Sequence, residues 1–399
     1  MTMLNLKAFA AVTAAFLFSA TLSQTAFAAP QEKEWTMLVF INGHNNLDYF
    51  GKADINEMEQ VGSTDQVNVV VQWASLKSKT TKRLLVEKDT DKNQVTSPTV
   101  QDLPTVDMGD YRNLVDFIRW GHENYPARHY FVVVWNHGTG WHKLALDGAR
   151  SPIQTWDISI DDLSKNSIST FQLGLAMEDA SKIIGRKIDI YGSDACLMGM
   201  MEVAHQMKDS VQYFIGSEDL EPGAGWPYEQ VLARWNALSP ATAEDIAKFL
   251  PEVYSASYKF EATTLSSYDL RYIDSLTTSL SNLRAVMTSQ SGAAKTAIQG
   301  AIASSLKFYK SDYVDLGDFL GKMGARTINP QYMQQITSVQ DELKKFIIAN
   351  KATGKFKQAQ GLAIWLPSSA MEYTKFEKLY SELSFNISSQ WHQLIEESL

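Results

Sequence analysis

Five short stretches, residues 35–41, 67–73, 129–135, 188–191 and 211–215, are apolar along almost their whole length. A strand with one face in water alternates polar and apolar residues, whereas one covered by helices on both faces has no polar side. Helical spacing follows several of them: Leu47, Phe50, Ile55, Met58 and Val61 after the first, Tyr111, Leu114, Val115, Ile118 and Trp120 within 110–123, and a further run over 171–184. Asn45 or Asn46 suits the N-cap of the first helix. The order strand, helix, strand, helix predicts an α/β fold, a mainly parallel sheet flanked by helices on both faces. Its crossovers should be right-handed and its functional residues should sit at the carboxyl edge. Residues 83–86 read as a short further strand and 89–104 as a polar surface loop or small hairpin.

From residue 241 the pattern turns helical, with helices expected near 241–260, 271–288, 290–308 and 330–350, and one late strand at 361–366 at the edge of the same sheet. The division expected is therefore an α/β part, 29–240, and a mainly helical C-terminal part, 241–399, packed on it. Ahead of both, Lys7, the apolar run 8–22 and Ala26-Phe27-Ala28 have the layout of a secretory signal over residues 1–28. Export to a periplasmic or extracellular compartment is the expectation. No later segment approaches a membrane span in length. A net charge of −9 argues against nucleic-acid binding, because no basic excess exists to replace phosphate counterions.

Cys196 is the only cysteine, which in an oxidising compartment would leave a thiol without an intramolecular partner. It follows the 188–191 strand through Gly192, Ser193, Asp194 and Ala195. Helical spacing begins at Leu197, so the thiol is expected at a helix N-terminus, where unpaired N–H groups favour a thiolate. A buried cysteine acting as a small hydrophobe is the competing reading. His137 likewise follows a strand, and parallel neighbours would bring the two to one edge as a nucleophile and its base. The N–H groups of Gly138 and Cys196 could bind an oxyanion. His44, His122, His129, His142, His205 and His392 form no metal-binding pattern, Gly138-Thr139-Gly140 lacks the third glycine of a dinucleotide loop, and no Gly-x-Ser-x-Gly elbow occurs.

The runs WTMLVFINGHNNLD (35–48), NHGTGW (136–141) and DIYGSDACLMG (189–199), with EPGAGW (221–226), YDL (268–270) and GLAIWLP (361–367), resemble the clostripain family of cysteine peptidases. The resemblance implies a caspase-like sheet, Cys196 as nucleophile, His137 as acid and base, and cleavage of polypeptides after Arg or Lys. It places Asp194 in the pocket for that basic side chain. A second acid is expected among Glu218, Asp219 and Glu221, with Ala224 neutral where an acid would have helped. It further implies an inactive precursor cut between the histidine and cysteine strands, in the polar region 142–169, where Lys143, Arg150 and Lys165 are candidate points; an uncut lid is the alternative. Some relatives use calcium, and Asp157, Asp161 and Asp162 could supply oxygen ligands, although no cofactor is required by the chemistry. A monomer is expected. The rival functions are a binding module that kept the fold without turnover and a thiol acyltransferase using the same dyad.

Overall fold

The computed structural model describes residues 1–2, 31–142, 157–289, 292 and 294–399. Residues 31–399 form one compact unit, distinct from residues 1–30. Beyond its first two residues, the expected export segment lies outside the described ones. No described helix is long and apolar enough to cross a membrane.

The strands, in chain order, are β1 (Lys33–Gly43), β2 (Val67–Ser75), β3 (Thr80–Leu85), β4 (Thr99–Leu103), β5 (Ala127–Trp135), β6 (Ile158–Asp161), β7 (Asn166–Ile168), β8 (Ile188–Asp194), β9 (Val211–Gly216), β10 (Thr264–Asp269), β11 (Tyr313–Asp315), β12 (Ile347–Ala352) and β13 (Ala363–Trp365). Nine make the central sheet, in the order β12-β10-β9-β8-β5-β1-β2-β3-β4. Its middle, from β2 to β9, is parallel. Antiparallel strands extend it at both sides, so the sheet is mixed around the expected parallel middle.

The apolar runs divide their side chains between two cores, as the period of two requires. Met37, Val39 and Ile41 of β1 face one, and Leu38 and Phe40 the other. The first core is closed by α1 (Asp48–Glu59), while α2 (Tyr111–Asn124), α3 (Thr170–Ile184) and α4 (Met201–Gln206) cover the second. Then α5 (Tyr228–Ala237) and α6 (Ala243–Ser257) return to the first face. The later helices, including Ile273–Thr288 and Pro330–Phe346, pack with α2–α4. Helix α3 starts where Ser169 and Gln172 form a capping box, two orphan N–H groups being satisfied reciprocally.

Four expectations need correction. Residues 361–366 join no edge of the central sheet, since β13 pairs with β11 in a separate two-stranded sheet. The helix expected to 350 ends at Phe346, where β12 begins and pairs with β10. The polar region 142–169, whose length and composition read as a loop, is not all loop: β6 and β7 form a small hairpin with Ile158 and Ile168 buried. The helix after Cys196 starts only at Met201.

Candidate active site

Strands β5 and β8 run parallel with Trp135 opposite Asp194, so the residues just beyond them leave the sheet together. Asn136 fixes the exit from β5. Its N–H donates to the Asp194 carbonyl at 3.2 Å, its side-chain amide donates to the Asn42 carbonyl at 2.6 Å, and its Oδ1 accepts from the Ile160 N–H. Gly138 then lies directly on the turn after β8. A Cβ there would meet the Cys196 carbonyl oxygen at 2.3 Å and the Ala195 Cβ at 3.0 Å, so only glycine lets the two segments approach this closely.

Cys196 does not cap a helix. Leu197 takes a left-handed conformation at φ 65°, and the chain runs on beside the loop after β9, with the Leu197 N–H on the Asp219 carbonyl (3.0 Å) and the Gly199 N–H on the Ser217 carbonyl (2.7 Å). These contacts take the place of the helical turn that the apolar spacing predicted. The Cys196 Sγ, partly exposed, accepts from the Glu221 N–H at 3.3 Å. Burial pushes the thiol above its usual range, Asp219 and Asp194 add to this, and the Glu221 N–H opposes it.

His137 is half-buried, and its Nε2 pairs with Asn46 Oδ1 at 2.7 Å. With a carbonyl oxygen as partner, Nε2 carries the hydrogen and Nδ1 keeps its lone pair. Burial holds the imidazole below its usual range, against a smaller raising effect of Asp162. The resting pair is thus a neutral thiol and a neutral imidazole, each with a different partner. The Gly138 and Cys196 amides donate to no backbone carbonyl among the described residues.

The acids separate into two groups. Asp194 is buried; its Oδ2 accepts from the Tyr228 hydroxyl at 2.7 Å and the Trp226 N–H at 3.2 Å, and burial pushes its carboxyl up to about 6. The buried Glu221 carboxyl, out of hydrogen-bond reach of a donor, acts on Asp194 and on Cys196. Asp54 of α1 joins them, accepting from the Trp135 indole at 2.5 Å; burial lifts its carboxyl well above the usual range and the Asp194 charge lifts it further. Glu218 is not in this group. It is buried against Asp315, which with Asp219 holds it well above the usual range that burial already lifts it from. Asp219 accepts from the Leu220 N–H and lies near Lys355, so of the three candidates only Glu221 meets Asp194.

The match to known proteins covers nearly all of this structure. The model of the clostripain family matches residues 39–397. This chain belongs to the clostripain family. Clostripain of Hathewaya histolytica is 23% identical over 407 residues, covering 86% of this chain and 76% of its own length. Among solved structures, an inactive zymogen C11 protease from Parabacteroides distasonis superposes with a TM-score of 0.69 at 17% identity, covering 90% of this chain and 99% of its own. A secreted C11 cysteine protease from Bacteroides thetaiotaomicron gives 0.71 at 16% identity, covering 90% and 100%. One from the same organism, in complex with an irreversible peptide inhibitor, gives 0.66 at 22%, covering 90% and 99%. The fold is that of the C11 peptidases, and the protein is a cysteine peptidase.

Within this clostripain-family chain two residues beside the site carried no sequence signal for it. Asn46 reads as an N-cap, yet Leu47 occupies that position while Asn46 holds His137. Asp54 stands off the apolar positions of its helix, yet it is 1% exposed. The three aspartates considered for calcium do not form one oxygen cluster. Asp161 accepts from His44 and from the Met108, Leu163 and Ser164 amides, Asp157 is buried and accepts from the Thr170 N–H, and the Asp162 side chain is exposed. No group of three or more metal-ligating side chains occurs among the described residues. Lys165 is exposed in the turn between β6 and β7, and Lys143 and Arg150 lie outside the described residues.

Proposed function

We propose that this clostripain-family peptidase is an exported endopeptidase that cleaves polypeptides after Arg or Lys, with Cys196 as nucleophile and His137 as acid and base. One observation carries the basic specificity: the Asp194 and Glu221 carboxyls are buried beside the thiol, and among the described residues no Lys or Arg acts on them. A buried carboxylate without a partner is costly, and a guanidinium or ammonium from the substrate would supply that partner.

Reaction begins from the neutral pair. As Sγ attacks the carbonyl carbon before the scissile bond, its proton passes to His137 Nδ1, while Asn46 keeps the ring oriented through Nε2–H. The oxyanion of the tetrahedral intermediate is held by the Gly138 and Cys196 N–H groups. The imidazolium then gives its proton to the leaving amine, forming a thioester at Cys196. Water attacks the thioester with His137 as base, and the thiol leaves with that proton.

A precursor cut between β5 and β8 fits the position of the candidate points. Lys165 sits in a tight turn between two hydrogen-bonded strands, a poor shape for an extended substrate, so cleavage at Lys143 or Arg150 is the preferred reading. Residues 1–28 have the layout of an export signal. The test is a pair of peptidyl chloromethyl ketones ending in Arg or Asp, added to the processed protein and followed by intact mass. The expected result is a single adduct from the Arg reagent that is absent in Cys196→Ala. Equal labelling by both reagents, or no labelling of the processed protein, would refute the proposal.

A further inference from the structure

Gly225 marks a point where two buried carboxyl groups meet. A Cβ built there would lie 3.0 and 3.1 Å from Asp194 Oδ2 and Oδ1 and 3.1 Å from Asp54 Oδ2. The two acids come from separate elements, β8 and α1, with Trp135 and Tyr228 each giving one of them a hydrogen bond. Glu221 brings a third carboxyl to the same place, buried and with both oxygens unpartnered. The charged groups acting on Asp54 are Asp194 and Glu57, and those acting on Glu221 are Asp194 and Cys196; none is basic.

Three acids gathered in one interior spot without a cation would be replaced at no loss by apolar groups if stability were their purpose. Their arrangement instead suits a planar cation, since one atom at the Gly225 position is within hydrogen-bond distance of oxygens on both aspartates. We infer that Asp54 is a specificity-determining residue, a second anionic wall that holds the substrate's guanidinium or ammonium together with Asp194.

The inference deepens the basic-specificity reading above and rests on it. It also assigns a role to the 221–226 loop. Gly225, at φ 59°, roofs the site, the Tyr258 hydroxyl donates to its carbonyl at 2.7 Å, and the Trp226 N–H is on Asp194.

The experiment compares peptides ending in Arg with otherwise identical peptides ending in citrulline, its neutral isostere, using the processed enzyme and its Asp54→Asn and Asp54→Glu variants. Asparagine can still accept from the Trp135 indole, so the substitution removes charge with little change of shape. The Arg-to-citrulline ratio of kcat/KM is expected to fall by about 10- to 100-fold in Asp54→Asn, with citrulline turnover within about threefold of wild type. Asp54→Glu, which keeps the charge, retains the Arg preference. A wild type that prefers Arg together with an Asp54→Asn variant of unchanged ratio overturns the inference and leaves the basic-specificity reading standing. A wild type with no Arg preference overturns both. If Asp54→Asn does not fold, loss of the Arg preference in a folded Asp54→Glu overturns the inference.

Discussion

Replacing Gly138 by alanine should inactivate the peptidase while leaving most of its stability. The added methyl would sit 2.3 Å from the Cys196 carbonyl oxygen, whereas a carbon–oxygen contact settles at about 3.3 Å or more. The deficit of about 1 Å must come from moving one backbone segment, because neither neighbour is a flexible side chain. The Met198 Cγ at 3.0 Å can yield, but the carbonyl belongs to the residue that carries the nucleophile. A shift of this size in a catalytic group costs about 100-fold in rate. Overpacking costs about 1–3 kcal/mol, so the melting temperature should fall by only a few degrees. The assay is kcat/KM on an Arg peptide beside a thermal melt, with Gly321→Ala as control. Gly321 is an exposed helical position with no neighbour within 4 Å, and alanine there should stabilise by about 0.5–1 kcal/mol without changing turnover. A Gly138→Ala enzyme within threefold of wild-type kcat/KM would refute the steric argument.

Asn46→Ala should lower kcat/KM about fivefold to tenfold, the worth of about 1 kcal/mol for a partly exposed hydrogen bond, with an unchanged melt. An equal rate would show that the ring needs no such support. Because burial holds His137 below its usual range, the acid limb of kcat/KM should have its midpoint below 6.5. Asn46→Asp, placing a carboxylate beside the ring, should move that limb upward, and a pH–rate profile of the two enzymes decides it. Glu202 is buried, accepts from the Trp365 N–H and the Tyr380 hydroxyl, and is pushed up to about 7. Its folded value is raised, so its contribution to stability is fully present below about 4.5 and is lost as pH rises through about 7. Urea unfolding should therefore find Glu202→Gln close to wild type at pH 4.5 and relatively more stable, by up to about 3 kcal/mol, at pH 8. Lys143→Ala with Arg150→Ala should leave the precursor a single chain by gel, and Lys165→Ala should still be cut.

The parts of the fold that could be read from the chain are those where burial leaves a pattern. Strands β1, β2, β5, β8 and β9 are apolar because helices cover both faces, and the order of strands and helices follows from that. Strand β10 escaped because it is as buried as its neighbours but polar: Thr264 accepts from the Glu218 N–H, Ser267 donates to the Ala247 carbonyl, and Ser266 donates to Asn350. Its hydroxyls are satisfied by partners up to 93 residues away, the Tyr268 hydroxyl donating to the Gly361 carbonyl, which no local window contains. Strand β12 was absorbed into the preceding helix, whose apolar spacing it continues. At the site, His137 and Cys196 stand just past strands that the chain order made parallel neighbours. The turn after Cys196 departs from its helical spacing, since the left-handed Leu197 is set by contacts to the loop at 217–219 and not by its own residue type. Asn46 and Asp54 are polar residues whose partners, 91 and 81 positions away, exist only in the folded chain.

The most direct test is hydrolysis of matched fluorogenic peptides ending in Arg, Lys, Asp or Leu, by the processed protein and its Cys196→Ala variant under reducing conditions. Turnover of the Arg or Lys peptides that vanishes in the variant is the predicted result. Absence of turnover on every peptide, from folded protein cut between β5 and β8, would contradict the account.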